Sequence, residues 1–292
     1  MYVCTAGEDT SIRLQELCVE PDRADFLATS QLVLRGHVCS VKCLATLDEE
    51  DGSVLLVSGG GRAQLRIWRL QERAGDLVCI NLADFMLCGH DKNVRRPWRK
   101  AQSAVKHNPV TRFLSLAVQR TATDLTKIFV GCSDSLLRVF EYAAGEIVLQ
   151  KEVDFQEHCI LRLKLFPFAN AWHLLASTTG GRVFVWKPDE KDWSQNFEQF
   201  TIHQSGINCV DSREVGHSVE LLSGGDDNAL VLSRLEYEEG GQLAHRVVWR
   251  EDSAHAAQIT GVVLLGNYVD FFCAQFEESR NSTQVIHWTY SF

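Results

Sequence analysis

One short phrase, repeated along the chain, limits what this sequence can fold into more than any other feature. Val130 to Glu141 reads V-G-C-S-D-S-L-L-R-V-F-E. An apolar strand stops at Gly131, a polar turn centres on Asp134, and a second strand alternates Leu137 and Val139 inward with Arg138 outward until Phe140 closes it. The phrase returns at Ala6–Gln15 (A-G-E-D-T-S-I-R-L-Q), Gly59–Trp68 (G-G-G-R-A-Q-L-R-I-W), Ser177–Trp186 (S-T-T-G-G-R-V-F-V-W) and Gly224–Ser233 (G-G-D-D-N-A-L-V-L-S). A weaker copy at Ser279–Trp288 ends V-I-H-W. Period-2 alternation turns one face of each strand to a buried layer and the other to solvent or a neighbouring turn. Gly, Asp, Ser and Asn supply the turns because they tolerate positive φ or bond their own backbone. Each phrase is therefore a β-hairpin, and Trp68, Phe140 and Trp186 supply the bulk to seal one unit against the next.

The closing positions 15, 68, 140, 186, 233 and 288 are spaced as a repeat of roughly 40–45 residues with loop insertions, the period of a four-stranded propeller blade. The expected fold is all-β: a WD40 β-propeller of about five and a half four-stranded blades over residues 1–292, in an incomplete ring that is a piece of a longer chain. The Gly36-His37 … Trp68 spacing is characteristic of WD40 repeats. In that family the His bonds a turn Asp and a strand Ser or Thr beneath the Trp. The resemblance makes His37, Trp68, His90, Asp134, Phe140, His158, Trp186, His203, Asp227, His255 and Trp288 ties inside blades. The histidines recur once per blade, at spacings that match no zinc pattern.

Composition excludes several classes. The 45% apolar content and 23% charge are those of an ordinary globular protein. No run approaches the roughly 20 apolar residues that span a bilayer, and the N-terminus M-Y-V-C-T-A-G-E has no basic region, so neither a membrane nor secretion is expected and the cytoplasm is. Ten cysteines without a C-x-x-C read as reduced thiols, with Cys39 and Cys43 filling core and no metal or cofactor expected. The net charge of −9 argues against a broad nucleic-acid face and leaves room only for a local one.

The local exception is a polar insertion, residues 91–110. Arg95, Arg96, Arg99, Lys100, Lys106 and Arg112 place six cations in eighteen residues, with Trp98 and His107 among them. Arg forks bond phosphate oxygens in pairs, and an indole stacks on an unpaired base. These eight residues are the candidate RNA contacts; the bland reading is a solvated loop, or arginines paired with carboxylates of a neighbouring blade. No catalytic constellation appears. Gly59-Gly60-Gly61-Arg62 lacks the helix and Lys-Ser/Thr of a phosphate loop and reads as a turn, Asp226-Asp227 as a turn pair, and Asn281-Ser282-Thr283 as a surface turn. The chain is not expected to be an enzyme.

The insertion (R-R-P-W-R-K through N-P-V-T-R-F-L-S-L-A-V) resembles the WD repeat-containing protein 6 family, as do F-Q-E-H-C-I-L-R-L-K, H-Q-S-G-I-N, A-H-A-A-Q-I-T-G and S-G-G-G-R. The resemblance is colinear over nearly the whole chain and points to the family's C-terminal propeller. It implies a non-catalytic scaffold that binds tRNA and a tRNA 2′-O-ribose methyltransferase and promotes methylation at the wobble position, 34. The alternative is a generic WD40 protein-interaction module, such as a ubiquitin-ligase substrate receptor, since propeller rims accept many partners.

Overall fold

A computed structural model describes residues 2–19, 26–87, 111–121, 125–155, 158–190, 192–265, 269–277 and 282–290, side chains of 17–19, 26–31, 269–277 and 282–290 excepted. The chain forms two compact units: Met1–Asp134 with Arg138–Glu152, and Ser135–Leu137 with Val153–Phe292.

The first unit opens with a three-stranded antiparallel sheet of β1 (Tyr2–Ala6), β2 (Ile12–Val19) and β3 (Phe26–Leu34). Next comes a four-stranded sheet of β4 (Val41–Asp48), β5 (Val54–Gly60), β6 (Gln64–Arg73) and β7 (Asp76–Met86). A third sheet takes β8 (Phe113–Arg120), β9 (Thr126–Cys132), β10 (Leu136–Ala143) and β11 (Glu146–Asp154). The second unit repeats the plan. Its sheets are β12 (Ile160–Phe168) to β13 (Ala171–Thr178), β14 (Arg182–Trp186) and β15 (Glu198–Thr201), then β16 (Ile207–Val215), β17 (Ser218–Gly225), β18 (Leu230–Tyr237) and β19 (Leu243–Glu251). A three-stranded sheet of β20 (Gly261–Leu265), β21 (Val269–Glu277) and β22 (Ser282–Tyr290) ends it. Strands joined in sequence order within each sheet, sheet after sheet, make this an all-β chain of the WD40 propeller class. Among the described residues no helix is long and apolar enough to cross a membrane.

The sheets run one strand out of step with the sequence phrase. The phrase ends at Trp68, Phe140, Trp186 and Ser233, but β7, β11, β15 and β19 pair onto the strands that carry those residues. The expected opening strand of each unit is thus the outer strand of the preceding sheet: residues 31–34 belong to β3, paired with β2. The same stagger gives the chain a three-stranded sheet at its start, where β2 runs to Val19 and β3 begins at Phe26. Outer strands alternate weakly because only one flank is paired. Along β11 exposed and half-buried residues alternate throughout, which reads in sequence like the edge of anything.

Middle strands bury both faces. Leu55 and Val57 of β5 pack with Phe113, Ile128 and Phe140 of the third sheet, while Leu56 packs with Ile12, Leu14 and Trp68. In the second unit Val219 and Leu221 join Phe166, Val183 and Ile207, whereas Leu222 meets Leu230 and Ile259. Alternation here sorts residues between two dry layers, not between core and water, and burial on both sides of a strand roughly doubles its hydrophobic stabilisation. Arg138 corrects the outward reading. It is 4% exposed. Its guanidinium donates to both oxygens of Asp134 (2.9 and 2.7 Å) and to Glu152 (2.7 Å). A buried cation is tolerable only with such partners.

Candidate functional site

The turns between the second and third strands of the second to fifth sheets are built on one plan, which fixes equivalent positions, and the β1–β2 turn of the first sheet lines up with them. Gly61, Ser133, Thr179 and Asp226 each donate a backbone N–H, at 2.8–3.0 Å, to the residue just ahead of the sheet's first strand: Ser40, Arg112, Cys159 and Gly206. The close approach explains Gly60, where a Cβ would run into the Ser40 carbonyl. Counting from these anchors, one register holds Ser58, Val130, Ala176 and Ser223; a second holds Asp9, Arg62, Asp134, Gly180 and Asp227; a third holds Trp68, Phe140, Trp186 and Ser233. His37 and His203 precede the first strand by the same four residues.

Each sheet uses a different part of the tie. In the second sheet His37 Nε2 lies 2.7 Å from Ser58 Oγ, and the Trp68 indole N–H donates to that same oxygen at 2.9 Å. In the fifth, His203 bonds Asp227 through Nδ1 (2.9 Å) and Ser223 Oγ through Nε2 (2.8 Å). Asp227 also accepts the Gln204 N–H at 3.0 Å, and Arg250 approaches it at 3.4 Å. The third sheet keeps only Asp134, which binds Arg138 and accepts the Thr111 hydroxyl at 3.0 Å, with Val130 and Phe140 filling the other positions. The fourth keeps Trp186, 2% exposed, with Ala176 where a Ser would meet its indole N–H, which has no partner. Replacing both members of a buried pair by apolar groups is nearly neutral, as with Val130 and Phe140, whereas the lone indole N–H of Trp186 carries a cost.

The histidines therefore separate. His255, buried, stands four residues ahead of Ile259, whose N–H bonds Gly225 O as that of Val41 bonds Gly7 O, and so shares the offset of His37 and His203. His158 is only two residues ahead of β12, and its ring lies against Gly180. Trp288 falls on β22. His90, Asn281 and the insertion residues Arg95, Arg96, Trp98, Arg99, Lys100, Lys106 and His107 lie outside the described residues. Of the candidate RNA contacts, Arg112 alone is described. It is exposed, its N–H donates to Ser133 Oγ at 3.0 Å, and its charge helps hold the Glu8 carboxyl below its usual range, after the Lys42 contact.

Ser223, His203 and Asp227 have the spacing of a nucleophile, base and orienting acid, yet Ser223 is 1% exposed and its oxygen sits between strands. No substrate reaches it; the arrangement fastens a loop to two strands. Burial pushes the His203 pKa down against the pull of Asp227, and the neutral ring accepts and donates one bond each. In the second sheet burial and the Arg66 charge bring His37 down to about 4. Its Nδ1 has no well-formed hydrogen bond, because Arg62 occupies the register of Asp227. Gln64 takes over half of the missing work: its Oε1 accepts the Val38 N–H at 2.9 Å, the bond that Asp227 makes with Gln204. Taken residue by residue, Arg62 reads as turn filler; a comparison of the turn phrases at the Asp position is the signal that marks it.

No family model matches the chain. Over 240 residues it is 25% identical to the tRNA (34-2′-O)-methyltransferase regulator WDR6 of Drosophila melanogaster, covering 78% of this chain and 22% of that protein. Its likeness is to the WDR6 family. The regulator of the same name from Rattus norvegicus is 22% identical over a 320-residue alignment that covers 90% of this chain and 28% of its own length. The chain thus spans about a quarter of the length of the curated WDR6 proteins it matches.

Proposed function

We propose that this chain is part of a non-catalytic WD-repeat scaffold that binds tRNA and a tRNA 2′-O-ribose methyltransferase in the cytoplasm and promotes methylation at position 34. The likeness to two WDR6 proteins, both named as regulators of that methylation, carries the reading. The structure supports it in kind. The described His–Ser–Asp set is sealed between strands and serves the frame. Rigid frames with loops along their rims suit the holding of partners, while the methyltransferase supplies the chemistry. In this reading Arg95, Arg96, Arg99, Lys100, Lys106 and Arg112 contact tRNA phosphates, and Trp98 and His107 stack on bases.

Co-purification of the full-length parent protein tests the proposal. A methyltransferase and tRNA in the eluate are the expected outcome; a ubiquitin-ligase adaptor with neither would overturn it. Replacing Arg95, Arg96, Arg99 and Lys100 together by Gln is expected to weaken tRNA binding and to flatten its salt dependence, by about 0.9 in the log–log slope for each phosphate no longer neutralised. An unchanged slope would remove the insertion from the interface.

A further inference from the structure

Arg62 stands where three other turns place an aspartate, and it weakens the fold there in two ways. Its φ is +57°, followed by Ala63 at +48°, whereas the turns with Asp9, Asp134 and Asp227 have a single left-handed residue each, Thr10, Ser135 and Asn228. A non-glycine residue in that region costs on the order of 1 kcal/mol. The second penalty is the His37 Nδ1, buried with no well-formed hydrogen bond and only the Gln64 side chain, besides Ser58, to bond the ring, for which a carboxylate in this register is the natural acceptor, as Asp227 is for His203. Neither penalty brings a compensating contact, since the Arg62 side chain is exposed. Strain at an exposed charged residue points to work outside the fold.

The surroundings indicate what that work is. Leu87 donates its N–H to Ala63 O at 3.1 Å, and the described residues resume at Thr111 and Arg112. The Gly61–Ala63 turn lies against β8, which Arg112 leads into. The loop that opens with exposed Arg35 closes on the same turn, through Gly61 N–H to Ser40 O (2.9 Å) and Val38 N–H to Gln64 Oε1. Nearby acids are engaged: Glu8 with Lys42 at 2.8 Å and Asp84 with Arg66 at 2.9 Å. Three exposed arginines thus stand on segments that meet at one turn, in a chain of net charge −9.

We propose that Arg62, with Arg35 and Arg112 on the segments that meet its turn, contacts the phosphate backbone of bound RNA, a proposal that rests on the tRNA reading above. The guanidinium fork gives paired hydrogen bonds to phosphate oxygens, and Arg62 is exposed to solvent on its turn.

The test uses the full-length parent protein and an unmodified tRNA transcript. Arg62→Gln removes the charge, Arg62→Lys keeps it, and Arg246→Gln removes an exposed charge from β19 of the other unit. The expected result for Arg62→Gln is weaker binding, with the slope of log affinity against log salt reduced by about 0.9. Arg62→Lys and Arg246→Gln should keep the wild-type slope. Arg62→Asp should also bind more weakly, yet unfold at the same or a higher denaturant concentration, because His37 regains an acceptor. Wild-type tRNA affinity and slope in Arg62→Gln would overturn the proposal while leaving the tRNA reading standing. Loss of methyltransferase binding with tRNA affinity intact would overturn it in favour of a protein contact. If the wild-type protein binds no tRNA, the underlying reading fails, and this one with it.

Discussion

Ser58→Ala should cost the second sheet more than Ser223→Ala costs the fifth, although both remove one hydroxyl from a fully enclosed site. Ser58 Oγ serves two buried groups, His37 Nε2 at 2.7 Å and the Trp68 indole N–H at 2.9 Å. Its removal leaves both without a partner. His37 already lacks a well-formed bond at Nδ1, so its ring would be left with no more than the Gln64 side chain. Each orphaned buried group costs about 1–3 kcal/mol, which puts the change near 3 kcal/mol. Ser223 Oγ serves one ring, His203 at 2.8 Å, and that ring keeps its Asp227 bond; the equivalent of Trp68 is Ser233. One orphan gives about 1–2 kcal/mol. The two serines lie in different compact units, so hydrogen exchange of peptides from β5–β6 and from β17–β18 reads each opening energy locally. A larger loss of protection for Ser58→Ala, by about 1 kcal/mol or more, is the expected outcome. Equal losses, or a Ser58→Ala change below about 0.5 kcal/mol, would refute the reasoning that the tie's energy lies in the number of buried groups sharing one hydroxyl.

Two further outcomes follow from the same ties. His37 titrates near 4 in the folded chain, against an ordinary 6.5, chiefly through burial and then the Arg66 charge. Between those values the unfolded chain binds the extra proton, so stability is full above about pH 6.5 and falls as the pH drops toward 4, by at most about 3 kcal/mol. Exchange of β5–β6 peptides at pH 7 and pH 5 should show this loss, and His37→Gln should lack it; an equal acid slope in the variant would exclude His37 as the source. Glu220 holds Arg213 at 2.7 Å and Arg234 at 2.9 Å, with its side chain 2% exposed. Glu220→Gln should cost about 3 kcal/mol in denaturant unfolding, by taking from two adjacent arginines the buried carboxylate they share; a change near zero would mean that both arginines swing out to water.

The alternation around Leu137 and Val139 is legible without coordinates, and so is the hairpin it encodes, because a strand's side-chain period is a property of the local backbone. Alternation has no means of saying what lies on the far side. Arg138 looks solvent-facing by period and is buried between Asp134 and Glu152, since only the assembled sheet brings Glu152 of β11 opposite it. The outer strand β11 is visible as an alternating run, but which sheet it joins is a matter of hydrogen-bond partners, and those are not written in one strand's sequence.

The turns show the same division. Sequence alone determined that hairpins recur and that their turns are built from Gly, Asp, Ser and Asn, because backbone sterics and local side-chain bonding decide turn residues within a few positions of themselves. Tertiary structure alone decided which histidine meets which serine, that His37 and His203 share a register and His158 does not, and that the turn carrying Arg62 lies against β8, which Arg112 leads into. Those facts depend on strand register across tens of residues, and a hydrogen bond reaches only about 3 Å; nothing short of the folded sheets brings such groups together.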